Sequence, residues 1–237
     1  MINIDYKKII NLYEDNHLLV VVKPQGLACC PDISNSPNLL DLMKKYLIEK
    51  YNKPGDAYLG LVHRLDQPTG GVMMYAKSSK AAARLAKNLK EREIEKKYFA
   101  VCEGIPKRNK ATLKNALSKD TNKNEVYCVP IATEGAKMAE LEYKVIATKD
   151  DLSLLEIHLI TGRSHQARVQ LANIGCPIWG DQKYGKAIGH DDLALWATEL
   201  SFPHPISKDL MRFKVFPPTE VFPWSEFSTQ ININLGI

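Results

Sequence analysis

The chain has 237 residues, 45% hydrophobic and 25% charged, with a formal net charge of +5. That length supports one large domain or two small ones with a sizeable core, and the composition excludes a disordered, collagen-like or disulfide-dense chain. The mild positive balance suits an anionic partner such as nucleic acid without requiring one.

Taken in order, the chain opens at Met1–Lys8, which lacks the basic-then-apolar plan of a signal peptide. Nowhere does it reach the run of about 18 apolar residues that a membrane span needs. Residues 1–16 read as an exposed lead-in with helical character around Tyr6 to Tyr13. Leu18 to Val22 is a continuous apolar run that predicts a buried strand, and Lys23-Pro24-Gln25-Gly26 forces a turn after it. Lys23 is either a solvated turn cation or a contact to phosphate. Ser36-Pro37 supplies an N-cap and a proline at the first helical position. Leu39, Met43, Tyr46 and Leu47 share one face, so the spacing predicts a helix over 37–51.

The stretch from Gly60 to Lys77 reads as strand, turn and strand, with Pro68, Gly70 and Gly71 as punctuation. It sets His63, Arg64 and Asp66 at the mouth of the turn. Arg64 and Asp66 are two apart, so on an extended backbone they point to the same side. A carboxylate beside a guanidinium stays ionised at neutral pH. Taken alone, this is equally a salt-bridged turn with no chemistry. Ser78-Ser79 caps a second helix with Ala81, Ala82, Leu85, Ala86 and Leu89 as its inner stripe and a basic outer face.

Ile94 to Gly104 alternates as a strand carrying Tyr98. The segment 105–125 is the most basic, with Lys107, Arg108, Lys110, Lys114, Lys119 and Lys123, and reads as a hairpin or loop excursion. Two strands follow, Ala139–Ala147 and Ser153–Ile160. The second of these ends at Thr161-Gly162 and a helix starts near Ser164, with Arg163 and Arg168 bracketing its first turn, a place that favours anions. Late features are a short strand near Met211–Val215 and a polar tail after Pro217-Pro218. Five cysteines (Cys29, Cys30, Cys102, Cys128, Cys176) are odd in number and show no C-x-x-C spacing. They predict reduced thiols in a cytoplasmic protein rather than a disulfide framework or a zinc site.

His63-Arg64-Leu65-Asp66 resembles the HRLD signature of the RluA-type pseudouridine synthases. Further blocks match that family in order: Lys23-Pro24-Gln25-Gly26, Lys96-Lys97-Tyr98, Thr161-Gly162-Arg163-Ser164-His165-Gln166-Ala167-Arg168, Gly180-Asp181-Gln182-Lys183-Tyr184-Gly185 and Phe202-Pro203-His204-Pro205. They span about residues 18 to 218. Ser164, Ala167 and Gln170 depart from the usual threonine, isoleucine and histidine, and the Gln170 change is read as peripheral.

The resemblance implies an α+β domain over 1–237, with a mixed, largely antiparallel sheet and a central catalytic cleft. It implies isomerisation of uridine in RNA, with Asp66 as the catalytic nucleophile, Arg168 as its partner and Tyr98 at the active site. Arg64, Arg163, His63 and Lys23 are then substrate-contacting residues. No cofactor or metal is expected. The expected partner is a stem-loop of transfer RNA or ribosomal RNA, met by a monomer of the compact kind without the extra RNA-binding domain. Two other readings are an RNA-binding relative without catalysis, and an unrelated enzyme holding a phosphorylated small molecule between Arg163 and Arg168.

Overall fold

A computed structural model describes residues 5–31, 36–185 and 192–236. The chain divides into two compact units, 1–94 with 199–215, and 95–198 with 216–237. The fold is α+β with mostly antiparallel strands.

In the first unit, β1 (Asn11–Glu14) pairs antiparallel with β2 (Leu18–Lys23), and β2 pairs antiparallel with β4 (Gly70–Ala76). The described part of the lead-in is therefore a short 3-10 turn at Tyr6–Lys8 and then a strand. Helical character ends early because Asn11 to Glu14 lie along β2 and gain ladder hydrogen bonds there. The apolar run of β2 is buried over most of its length, and every residue of β4 is buried, as continuous hydrophobic strands require. β3 is only Gly60–Leu61, against Tyr75 and Ala76. Helix α1 runs Leu39–Lys50 and buries Leu39, Met43 and Leu47. Its cap is Asn38, whose side chain accepts from the Asp41 N–H, and not Ser36 as expected. Helix α2, Ser79–Lys90, starts as the sequence predicts, with the Ser78 hydroxyl accepting from the Ala81 N–H.

In the second unit, β5 (Glu95–Glu103), β6 (Lys110–Asp120), β7 (Glu125–Val129), β8 (Lys137–Lys149) and β9 (Leu152–Leu159) form an antiparallel meander in the order β5-β9-β8-β6-β7. The basic 105–125 segment is thus mainly one long strand, and β6 pairs with β8 on one side and β7 on the other. Helix α3, Gln166–Asn173, contributes Val169 to a cluster with Leu117, Val126 and Ala139 of the meander. The end of the chain is not a polar tail. A 3-10 turn at Trp224–Phe227 and helix α4 (Ser228–Leu235) bury Trp224, Phe227 and Ile231. In the first unit, β11 (Leu210–Lys214) pairs antiparallel with Glu199–Pro203 of β10 (Leu195–Pro203). The five cysteines are free thiols.

Candidate active site

The Asp66 turn of the first unit is clamped from the last residue of β2 and the segment that follows it. Lys23 is 0% exposed, and its ammonium donates to the carbonyls of Pro24 and Gln67, both at 2.9 Å. Gln25 Nε2 donates to the Pro68 carbonyl at 3.0 Å, and Gln67 Nε2 returns a bond to the Gly26 carbonyl at 3.0 Å. The Cys29 thiol donates to the Leu65 carbonyl at 3.1 Å and receives the Leu65 N–H at 3.3 Å. The Thr69 N–H closes the turn on the Asp66 carbonyl at 2.9 Å. Leu65 turns inward and is buried, while Arg64 stays exposed and Asp66 half-buried on either side of it.

Burial pulls the Lys23 ammonium down to about 8, against the Cys29 and Asp66 charges that raise it. Lys23 was expected to touch substrate phosphate. A side chain sealed from solvent and spent on two carbonyls holds the turn instead, so that expectation is corrected. His63, expected at the substrate as well, accepts the backbone N–H of Met74 at its Nε2, 3.1 Å away, and so ties the HRLD tetrad to β4. The sequence reading missed Gln25, Gln67 and Cys29 as turn-holding groups. Two glutamines beside prolines give no spacing signal, and a lone thiol reads first as core.

In the second unit, Tyr98 lies on β5, opposite Ile157 of β9, and is 6% exposed. Arg168 lies in α3, 5% exposed. Its Nε and Nη2 donate to Asp181 Oδ2 and Oδ1, each at 2.7 Å, and its guanidinium lies 5.3 Å from the Tyr184 ring centroid. Asp181 is buried too, and its Oδ1 also accepts the N–H groups of Lys183 and Tyr184. Burial pushes the Asp181 carboxyl up, but the Arg168 bonds and charge and the two backbone donors outweigh it and hold the group below the ordinary carboxylate value. Gly185 completes this turn, since a Cβ there would stand 2.7 Å from the Asp181 carbonyl. Asp181 is the residue that fixes Arg168. It was legible only as part of a matched block, because nothing in an isolated Gly-Asp says that the carboxylate turns inward.

The turn into α3 is built by side chains. Gln166 Oε1 accepts from the Thr161 hydroxyl at 2.8 Å and from the Arg163 N–H at 3.0 Å, while its Nε2 donates to the Glu140 carbonyl at 3.0 Å. His165 takes the cap position at φ 50°, without a side-chain cap. Arg163 donates Nε to the Met138 carbonyl at 3.1 Å and is otherwise exposed. A buried Arg168 committed to Asp181 and an exposed Arg163 do not make the paired phosphate grip considered from sequence. Gln170 is not peripheral either. It is 0% exposed and donates to the Leu113 carbonyl and to Asn115 Oδ1, tying α3 to β6.

Residues 17–173 match the sequence pattern of the RNA pseudouridylate synthase family. That match runs through the Asp66 turn, Tyr98 and Arg168. The chain is 34% identical over 213 residues to an uncharacterized RNA pseudouridine synthase, YhcT, of Bacillus subtilis, covering 87% of this chain and 68% of that protein. It is 32% identical to ribosomal large subunit pseudouridine synthase C of Buchnera aphidicola, covering 94% and 72%. The chain belongs to the RluA-type RNA pseudouridine synthases. Among solved structures, human RNA pseudouridylate synthase domain containing 4 superposes with a TM-score of 0.76 at 22% identity, covering 94% of this synthase and 93% of that chain. The domain containing 1 protein gives 0.73 at 23%. At that identity the likeness establishes the pseudouridine synthase fold. This synthase is an isomerase that acts on RNA, and the expected family and fold class both hold.

Proposed function

We propose that this synthase isomerises a uridine in a stem-loop of transfer RNA or ribosomal RNA, with Asp66 as its catalytic nucleophile. The observation that carries the reading is the Asp66 turn, where Leu65, Gln67 and Pro68 are each held by hydrogen bonds from the 23–29 segment while the carboxylate keeps partial access. A preorganised nucleophile on a fixed backbone is what covalent catalysis needs.

The reaction conserves every atom. The bond from C1′ to uracil N1 breaks, the base turns, and C5 bonds to C1′. The proton on C5 is lost and N1 ends protonated. Tyr98 stacks on the base or moves the C5 proton. Arg168, aligned by Asp181, supplies positive charge for the reacting carboxylate. A uridine in a stem-loop reaches such a group only when flipped out of its stack. Arg64, the exposed residue of the tetrad, holds that conformation through the RNA backbone. Names of relatives that act on the ribosomal large subunit support ribosomal RNA as one substrate class. Incubating bulk transfer RNA and ribosomal RNA with the protein, then mapping new pseudouridines by reverse transcription, tests the substrate class. New sites in either class support the proposal, and none in both would refute it.

A further inference from the structure

Lys96 stands two residues before Tyr98 on β5, outside the set of residues placed at the reacting uridine. Its side chain is half-buried. Three other lysines of the second unit, Lys114, Lys149 and Lys183, end on acceptors. Lys114 reaches Glu140 at 3.0 Å, and Lys183 reaches the carbonyls of Lys123 and Asn124. Among the described residues Lys96 has no hydrogen bond, carboxylate or ring. Removing an ammonium from water without a counter-charge is costly, and burial alone pulls this one below the ordinary lysine value. A fold that keeps such a cost beside a site is storing a group for a ligand.

The position of the ammonium is defined. A Cβ placed on Gly162 would stand 3.0 Å from Lys96 Nζ, so the lysine tip occupies the room that glycine leaves. Gly162 opens the turn into α3, whose cap residue His165 provides no side-chain acceptor to the helix start. The first amides of a helix without such a cap favour an anion. Cation and turn together call for negative charge from outside the protein.

We infer that Lys96 is a substrate-binding residue whose ammonium, over Gly162, takes a phosphodiester of the bound RNA. The inference rests on the proposed function and names a contact within it. Contact with phosphate repays the desolvation only in the complex, so free protein and complex should respond in opposite directions to loss of the charge.

The test uses the full chain, bulk transfer RNA and ribosomal RNA transcripts, and Lys96→Met with Lys96→Arg alongside. Lys96→Met should bind RNA about tenfold more weakly, as loss of one charge-assisted hydrogen bond implies. The slope of log K against log salt should fall by about 0.7–0.9. Its melting temperature without RNA should rise by about 2–4 °C. Lys96→Arg should keep the slope. Unchanged affinity and slope in Lys96→Met would overturn the assignment. So would a lower melting temperature in both variants, which would make Lys96 part of the fold. A wild type that converts uridine while Lys96→Met behaves normally leaves the proposed function standing without this contact. A wild type that binds neither RNA removes both.

Discussion

Asp66 and Asp181 are both carboxylates in turns, yet the structure gives them opposite surroundings. Asp181 is 1% exposed and meets a guanidinium and two backbone N–H groups, so its charge is consumed in holding Arg168. Asp66 is half-buried on a turn whose backbone is fixed. Asp181→Asn leaves Arg168 buried without its countercharge and should destabilise the protein by about 3–5 kcal/mol, seen as a lower denaturant midpoint. Turnover should fall with it, since the guanidinium loses its orientation. The sign with pH follows from the lowered carboxyl. Ionised Asp181 stabilises the fold above the unfolded value of about 3.9, and that contribution disappears as pH falls through its lower folded value. Cys29→Val removes a thiol that both donates to and accepts from Leu65, one residue from Asp66. It should lower kcat while leaving the affinity for RNA within about twofold, and Cys29→Ser should restore part of the rate.

The elements show how charge in a sequence and charge on a surface differ. Cross-strand register places Lys110 opposite Lys144, Thr112 opposite Glu142 and Lys114 opposite Glu140, and it sets Glu142 opposite His158 and Lys144 opposite Glu156. The Lys110 and Lys114 row is therefore interleaved with acids, whereas Lys107 and Arg108 lie exposed just before β6. Replacing Lys107 and Arg108 by alanine should weaken RNA binding and flatten its salt dependence by about 1.4–1.8 in slope. Replacing Lys110 and Lys114 should leave that slope nearly unchanged, as a filter-binding titration would show. Periodicity found β2, α1, α2, β5, β8 and β9 because each buries one clear face or a continuous apolar run, whereas β6 and β7 lie in or beside the basic run that reads as a hairpin or loop excursion. It missed β1 and α4, and for the same reason. Asn11 to Glu14 and Ser228 to Leu235 are largely polar segments without a clear apolar face, the first held by the β2 ladder a few residues further on and the second anchored by burial of Ile231. The partners of Lys23, Gln25 and Cys29 lie some forty residues away in the chain, a closeness that no local pattern carries.

For the molecule as a whole, family membership was legible because several short blocks keep their order, and the structure adds what those blocks do to one another within each unit. Glu14 illustrates the added part. Burial pushes its carboxyl up, but hydrogen bonds from Lys50, Lys77, Tyr51 and Tyr46 hold it down at about 2. Its ionisation joins β1 to α1 and to the residue after β4, and so stabilises the first unit above the ordinary carboxylate range. That stability is lost as pH falls towards 2. Glu14→Gln should lower stability at neutral pH and flatten the acid limb of a pH–stability profile. The central claim, that the clamped Asp66 turn carries out uridine isomerisation, is met most directly by tritium release from RNA labelled at carbon 5 of uridine. Wild type should release tritium, and Asp66→Asn should release at least about a thousandfold less while still retaining RNA on a filter. Release by Asp66→Asn at the wild-type rate would contradict the account.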